Sequence, residues 1–199
     1  MLNKYFDYIV CISLPERKDR REFFNRQATG MNFEFEYFNA IKPAFGNGKL
    51  TKERIGCLRS HRQVLINAMM KGAKNVLIME DDCQFRNESG KMFLEGMANL
   101  PEFDLLYLGG TLWRASVKEF DANFKIGTGI LTTHSYVVPN RHFKTLIDLL
   151  EVENLPVDVK LNEFQISHKT LIFKKNITRQ LDGYSDIEKT SRVNWLFDN

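Results

Sequence analysis

The sequence predicts an α/β fold, a single domain built on a central mixed, mostly parallel sheet. Apolar, β-branched segments alternate along the chain with segments whose apolar residues recur at helical spacing. One apolar segment, Val76–Met79, is unbroken, which is typical of a strand buried on both faces in a parallel sheet. The 199 residues, 43% of them hydrophobic, are enough for one domain with a sizeable core.

The first part of the chain predicts a strand, a helix and a second strand. Phe6–Leu14 is apolar and contains several β-branched residues, which favours a buried strand. The polar stretch after Pro15, with Phe23 and Phe24 on one face, predicts a helix. Asn32–Phe38 alternates apolar and acidic residues with period two, which indicates a half-exposed strand.

A long helix is predicted from Lys52 to Lys71. Thr51 is suited to cap its first turn, and Gly72 is suited to end it. Gly56 and Ser60, one turn apart, interrupt its apolar spacing. A small residue and a polar residue at these positions indicate room for a ligand to come close to the helix.

The remaining elements continue the alternation. Asn75–Phe85 predicts a central strand that runs into acidic residues, and Trp113–Phe124 predicts an irregular flap over a site. Asp158 is predicted to cap a short helix that Pro156 opens. The other predicted elements are a helix at Lys91–Leu100, a strand at Phe103–Leu108, strand-like residues at Lys125–Val138, a helix that begins at Pro139 and a strand at Thr170–Lys174.

Three carboxylates, Glu80, Asp81 and Asp82, follow the unbroken apolar run directly. Ligand sites of open α/β sheets lie beyond the carboxyl ends of such strands, and carboxylate oxygens suit Mg²⁺ or Mn²⁺. Glu80 and Asp82 share a face if the strand continues, whereas this parity lapses if the chain turns there. A solvated acidic turn is the alternative interpretation of the same residues.

Composition narrows the function classes. The net charge of +3 is mild, so any attraction to nucleic acid or to a membrane must be local. No apolar run is long enough to span a membrane, and the N-terminus lacks the features of a signal peptide. The three cysteines form no CxxC pair and indicate a reduced compartment. We expect a cytoplasmic protein, with a peripheral membrane contact through the rings of Trp195–Phe197 left open.

Short motifs occur in a fixed order over most of the chain. They are ISLPERKDRR at Ile12–Arg21, LTKERIGCLRSH at Leu50–His61, VLIMEDD at Val76–Asp82, FDLLYLGG at Phe103–Gly110, THSYVV at Thr133–Val138, PVD at Pro156–Asp158 and RQLDGYSDI at Arg179–Ile187. This ordered set resembles glycosyltransferase family 25, the lipooligosaccharide-biosynthesis type of transferase that is related to collagen galactosyltransferases.

The resemblance implies a GT-A-like nucleotide-diphospho-sugar transferase fold over residues 1–199, with a donor-binding half of about residues 1–110 and an acceptor side and closing tail of about 111–199. The implied reaction moves a hexose, such as galactose or glucose, from a nucleotide-diphosphate sugar to an acceptor hydroxyl. Mn²⁺ or Mg²⁺ is the implied cofactor, because a cation neutralises the charge that grows on the departing diphosphate.

The resemblance also gives roles to residues of the matched motifs. Asp158 and His61 are the catalytic candidates, Asp158 as general base or acceptor-orienting group. The candidate metal ligands are Asp82, Asp81, Glu80 and His134. The candidate donor contacts are Leu14, Arg17, Arg20, Ser60, Glu80, Arg179, Gln180 and Asp186.

Three other functions stay open from the residues. A metal-dependent phosphohydrolase would use the same acidic cluster. A nucleic-acid-binding module would use the arginines of Arg17–Arg21 with aromatic rings. A transferase of this family could also take a hydroxyl on a modified nucleic-acid base as its acceptor.

Overall fold

The computed structural model describes residues 1–112 and 115–192 of the chain. Its helices are α1 (Lys18–Met31), α2 (Lys52–Met70), α3 (Ser89–Ala98), α4 (Phe143–Leu149) and α5 (Val157–Gln165). Its strands are β1 (Tyr8–Ser13), β2 (Glu36–Asn39), β3 (Asn75–Glu80), β4 (Cys83–Phe85), β5 (Leu105–Tyr107), β6 (Ser116–Glu119), β7 (Phe124–Thr128), β8 (Ser135–Pro139), β9 (Thr170–Phe173), β10 (Thr178–Gln180), β11 (Gly183–Ser185) and β12 (Thr190–Arg192).

Within these residues, eight strands form one mixed sheet in the order β2-β1-β3-β8-β5-β9-β7-β6. β8 and β7 run opposite to the other six, since each pairs only antiparallel with its neighbours. β4 and β10 form a small antiparallel pair, and β11 and β12 form a hairpin. The predicted α/β class with a mixed, mostly parallel sheet is confirmed.

Alternate side chains of the central strands enter two different cores, one on each face of the sheet. Val10 and Ile78 pack with residues of α2, α4 and α5, whereas Ile9 and Leu77 pack with residues of α1 and α3. Both strands are therefore buried on two sides, as the unbroken apolar run predicts.

The best-predicted element is α2. Thr51 caps its first turn by accepting a hydrogen bond of 3.3 Å from the Arg54 amide. The helix ends at Met70, and Gly72 follows in the left-handed conformation at φ +67°. No helix of the described ranges combines the length and apolar character that a membrane span requires.

Two segments differ from their predictions. Asn32–Phe38 forms a strand only from Glu36 onward. The predicted flap at 113–124 contains the edge strand β6, and Gly127 of β7 explains the pairing, because a Cβ there would lie 2.0 Å from the Ser116 carbonyl oxygen. The helix predicted to begin at Pro139 is confirmed, because Pro139 ends β8 and is also the N-cap of a short 3-10 helix at 140–142 that leads into α4. Trp195–Phe197, the rings considered for a membrane contact, lie outside the described residues.

Candidate active site

The three acidic residues lie at the carboxyl end of the central strands. Glu80 ends β3, opposite Ile12 of the parallel strand β1. The Asp81 amide still donates to the Ile12 carbonyl at 3.1 Å, and the chain then turns before β4 begins. Because of this turn, strand parity lapses, and Glu80, Asp81 and Asp82 all line one cavity of about 750 Å³. The alternative of a solvated acidic turn is wrong.

Arg20 of α1 forms ion pairs with both aspartates of the turn. Its Nη1 lies 2.9 Å from Asp81 Oδ1 and 3.5 Å from Asp82 Oδ2. Ser13 Oγ donates to the other Asp81 oxygen at 2.8 Å, and Gln180 Nε2 donates to Asp82 Oδ2 at 3.0 Å. The turn is thus held by charge and hydrogen bonds on one side and faces the cavity on the other.

Burial disfavours the charged forms of both aspartates of the acidic turn. Burial, together with the charge of Glu80, raises the pKa of Asp82 from 3.8 to about 7. Burial also raises the pKa of Asp81, although Arg20 opposes that shift. Asp82 Oδ1 is buried and has no hydrogen-bond partner in the described residues. Such a group gains from any cation that reaches it.

Glu80 is held differently from its two neighbours. Burial favours its neutral form, but His61 and Thr133 outweigh burial and lower its pKa. The Thr133 hydroxyl donates to Glu80 Oε1, and His61 Nε2 lies 3.4 Å from the same oxygen. Tyr136 fixes the other side of the imidazole, since its hydroxyl and His61 Nδ1 are hydrogen-bonded at 2.8 Å. Glu80 therefore carries its charge at the cavity wall.

Cys57 lies one helical turn before His61 on α2 and also lines the cavity. Its Sγ, a ring nitrogen of His61 and a carboxylate oxygen of Glu80 all lie within 4.8 Å of one another. Burial, with Glu80 next, raises the pKa of this thiol well above its ordinary value. Cys57 thus adds a soft sulfur ligand atom to a nitrogen of His61 and an oxygen of Glu80.

Asp158 faces the cavity from the start of α5. The prediction that it caps this helix is wrong, because Pro156 occupies the N-cap and Asp158 lies inside the first turn. Its Oδ1 accepts a hydrogen bond of 2.9 Å from the Val159 amide. Burial raises the pKa of the Asp158 carboxyl, which favours proton uptake closer to neutrality.

The β11–β12 hairpin covers one side of the cavity. Residues 185–188 of the hairpin line the cavity, and ion pairs join the hairpin to the starts of two helices. Asp186 pairs with Arg17 just before α1, and Glu188 pairs with Arg54 of α2 at 2.9 Å. Arg20 Nη2 adds a 2.7 Å hydrogen bond to the Tyr184 carbonyl.

The family model described as "Glycosyltransferase family 25 (LPS biosynthesis protein)" matches residues 6–161. The chain belongs to glycosyltransferase family 25. The match includes the acidic turn, α2 and the start of α5, and therefore most of the cavity wall. The resemblance stated from the motifs is confirmed.

Relatives within family 25 are long proteins that match this chain over part of their length. A Drosophila melanogaster "Glycosyltransferase 25 family member" is 27% identical over 127 residues, 52% of this chain and 21% of its own length. Human "Procollagen galactosyltransferase 2" is 26% identical over 57% of this chain and 22% of its own length. A human relative is named "Inactive glycosyltransferase 25 family member 3". The chain spans about a fifth of the length of these curated relatives.

Solved structures give only loose likenesses. A glycosyltransferase involved in glycosylation of the major capsid of PBCV-1 has a TM-score of 0.46 and 12% identity, over 74% of this chain and 66% of that one. A mannose-1-phosphate geranyltransferase from Thermus thermophilus has a TM-score of 0.47 and 9% identity, over 83% of this chain and 73% of that one.

Most predicted site residues of this family-25 chain meet in the cavity. Those that line it are Leu14, Arg20, His61, Glu80, Asp81, Asp82, Asp158, Gln180 and Asp186.

Four predicted residues do not line the cavity. Arg17 reaches it only through its ion pair with Asp186. Ser60 is buried, accepting from the Ile41 amide at 2.9 Å and donating to the Gly56 carbonyl at 2.6 Å. The other two are His134, whose ring contacts Thr132 at 3.1 Å, and Arg179, which donates to Gln84 at 2.7 Å.

Several cavity residues were missed at the sequence level. Cys57 has a usable signal, because its four-residue spacing to His61 places both on one helix face. Ser13 and Thr133 have no such signal, since their contacts to the acidic turn come from separate strands. The room expected beside Gly56 is taken by the chain itself, since a Cβ there would lie 2.3 Å from the Ile41 carbonyl oxygen.

Proposed function

We propose that the chain is a glycosyltransferase that moves a hexose, such as galactose or glucose, from a nucleotide-diphosphate sugar to an acceptor hydroxyl. The observation that carries this proposal is the acidic turn Glu80–Asp82, which faces a cavity at the carboxyl end of the central strands. Family 25 membership and the name of human procollagen galactosyltransferase 2 support hexosyl transfer. The family description supports a place in lipooligosaccharide or other glycan biosynthesis.

The residues of the acidic turn fit a divalent cation. Asp82 Oδ1 is buried without a hydrogen-bond partner in the described residues, and the pKa of this carboxyl is raised to about 7 by burial and by Glu80. Glu80, Asp81 and Asp82 would hold Mn²⁺ or Mg²⁺, which favour such oxygen ligands. A bound ion would supply positive charge to the departing diphosphate. His134 stays a predicted ligand, and its ring is near enough to help lower the pKa of Glu80.

The basic and amide groups beside the turn would orient the donor. Arg20 presents a guanidinium at the cavity wall, where its positive charge would attract the phosphates of the donor. Gln180 and Asp186 line the same cavity, as does Leu14 just after β1. Arg17 would act on the donor through Asp186, by holding the β11–β12 hairpin in place.

Asp158 is the proposed general base or acceptor-orienting group. Its carboxyl lies in the cavity, and its raised pKa suits a group that takes a proton from an attacking hydroxyl. His61 has a supporting role, because it is clamped between Tyr136 and Glu80 and keeps Glu80 charged.

The chain would work as one domain, with a donor-binding half before about residue 110 and, from about residue 111, an acceptor side and a tail that closes over the site. We place it in the cytoplasm, since Cys11, Cys57 and Cys83 are all free thiols.

A thermal-stability screen tests the function directly. A nucleotide-diphosphate sugar that binds the folded state raises the melting temperature by mass action. We expect one sugar nucleotide to give a shift that Mn²⁺ enlarges, with nucleoside monophosphates as controls that give a smaller shift. Absence of any shift across uridine, guanosine, cytidine and thymidine diphosphate sugars, with and without metal, would reject the proposal.

A further inference from the structure

We propose that Cys57, His61 and Glu80 form a binding site for a thiophilic divalent cation, Zn²⁺ being the best fit. This ligand set differs from the all-oxygen set of the acidic turn and shares only Glu80 with it. The three ligand atoms lie within 4.8 Å of one another at the cavity wall. The proposal concerns metal binding alone and does not depend on the transferase function.

Local structure brings the three residues together. Cys57 and His61 are four residues apart in α2, so their side chains leave the same face of the helix. Glu80 ends β3, and α2 packs against the sheet beside it. Two ligands from one helix turn and one from a strand end therefore lie side by side in the folded chain.

The decisive observation is the buried, unsatisfied nitrogen of His61. Its side chain is fully buried, and Nε2 has no hydrogen-bond partner in the described residues, although it points to Glu80 Oε1 at 3.4 Å. Two ligands of one tetrahedral zinc, bound at about 2.0–2.3 Å, are themselves about 3.3–3.8 Å apart. The nitrogen and the oxygen already have that spacing, and Cys57 Sγ lies within 4.8 Å of both.

The surroundings hold both ligands in place. Metal binding would displace the proton with which Nε2 of His61 faces Glu80. The Tyr136 hydroxyl can then accept the Nδ1 proton, which leaves the Nε2 lone pair directed at the metal. Thr133 donates to Glu80 and fixes its carboxylate. Partners of this kind, behind a ligating histidine and a ligating carboxylate, are typical of protein zinc sites.

The ligand types select the metal. Thiolate and imidazole favour Zn²⁺ over Mg²⁺, and binding releases the thiol proton of Cys57. Three protein ligands leave a fourth position, which opens to the cavity. Because Glu80 is shared, Zn²⁺ bound here would withdraw one carboxylate from the all-oxygen ligand set of the acidic turn.

Cobalt spectroscopy tests the site without any assay of activity. Co²⁺ added to metal-free protein should give a thiolate charge-transfer band and tetrahedral visible bands, both removed by one equivalent of Zn²⁺. Cys57→Ser, which is nearly isosteric, should lose the charge-transfer band. Cys83→Ala is the matched control, because Cys83 is a buried thiol next to Asp82 but outside the cluster, and it should keep the band.

A second measurement uses the wild-type chain alone. Alkylation of Cys57 by iodoacetamide, followed by peptide mass mapping, should slow at least about tenfold with Zn²⁺ and not with Mg²⁺, as selective ligation requires. Tyr136→Phe should weaken Zn²⁺ binding about tenfold. No charge-transfer band in wild-type protein, or a band that survives Cys57→Ser, would overturn the proposal.

Discussion

Asp82 is the residue on which the proposed chemistry rests most directly. Its side chain is 11% exposed, it faces the cavity, and it accepts hydrogen bonds from Arg20 and Gln180 on one oxygen only. Its second oxygen, Oδ1, has no hydrogen-bond partner in the described residues and can bind a ligand that enters the cavity. A negative charge at this position destabilises the fold when no cation is bound, but it favours the binding of a cation. Cation binding therefore benefits from a charge that lowers the stability of the metal-free protein.

Asp82→Asn is therefore expected to lower the transfer rate at least about 100-fold, the usual loss when one electrostatic stabiliser of a transition state is removed. The same variant should melt at a higher temperature than wild type at pH 8 without metal, because it removes a buried charge that Arg20 and Gln180 compensate only in part. Nucleotide release and circular-dichroism melts measure the two effects. Asp148→Asn, at an exposed ion pair on α4, is the control that should leave the rate unchanged. Equal rates in the two variants would refute the role of Asp82.

The raised pKa of Asp82 also predicts a pH dependence of stability. Between its ordinary value of 3.8 and about 7, the folded state keeps a proton that the unfolded state has lost. The free energy of unfolding should thus fall as pH rises through this window, relative to Asp82→Asn. Urea titrations of both proteins from pH 4 to about pH 8, without divalent ions, give the difference. If the difference in unfolding free energy between the two proteins stays constant with pH, the pKa of Asp82 is not raised in the folded state and the prediction is wrong.

The sequence predicts the position of the acidic residues well. They follow an unbroken apolar run directly, and the end of such a strand can be recognised from the local sequence alone. It does not predict which groups neutralise them. Ser13 and Thr133 belong to other segments and reach the turn only after the sheet has formed. Cys57 was within reach of sequence reasoning through its spacing to His61.

Among the elements, α2 does most to shape the cavity, and Gly56 decides how close the preceding loop can come. A Cβ at Gly56 would lie 2.3 Å from the Ile41 carbonyl oxygen, so Gly56→Ala must push the 41–43 loop away from the helix. We expect a loss of about 1–3 kcal/mol in stability, the usual cost of overpacking, together with weaker donor binding.

Gly90→Ala is the control for that variant. Gly90 is also helical, in α3, but a Cβ there meets nothing closer than 3.9 Å. It should stabilise the protein by about 0.5–1 kcal/mol through helix propensity. Urea denaturation measures both. Equal stabilisation by the two alanines would show that the 41–43 loop gives way freely.

The β11–β12 hairpin is held by partly exposed ion pairs, so the free energy of its closure should become less favourable as the salt concentration rises. The Arg54–Glu188 pair is partly exposed and should contribute about 0.2–1 kcal/mol to hairpin closure. Arg54→Gln should thus raise the donor KM by up to about fivefold at low ionic strength, and the effect should shrink as NaCl is added. Lys144→Gln removes a comparable exposed pair on α4 and should leave the KM unchanged. A salt-independent change in Arg54→Gln would point to a direct donor contact instead.

The sequence predicts the boundaries of an element where a capping residue and a glycine mark its two ends, as in α2. It does not predict boundaries that depend on which strands pair. The predicted strand Asn75–Phe85 breaks at Asp81–Asp82, and its last part pairs with β10 of the tail. That partner lies about a hundred residues later in the sequence, so no local pattern indicates the break.

For the whole molecule, the class of fold follows from the alternation of strands and helices, but the strand order does not. β8 inserts antiparallel between β3 and β5, although long connections separate it from both. This insertion places Thr133, just before β8, beside Glu80. The site therefore depends on a topological feature that periodicity and propensity do not contain.

The low net charge and the internal contacts of the arginines argue against nucleic-acid binding as the main activity. The arginines that suggested it are already engaged within the fold: Arg17 with Asp186, Arg20 with the acidic turn, and Arg21 over the ring of Tyr37 at 4.5 Å. With a net charge of only +3, the protein should bind duplex DNA no more tightly than about 10⁻⁴–10⁻⁶ M at physiological salt, the range of non-specific complexes.

Fluorescence anisotropy with labelled duplex and single-stranded oligonucleotides, over a series of salt concentrations, measures this affinity. Arg21 does not belong to the cavity lining. Arg21→Gln should therefore change the affinity for DNA and its salt dependence only as much as the loss of one surface charge explains. Nanomolar binding that persists at high salt would instead show base-specific recognition, and the acceptor would then have to be sought on a nucleic acid.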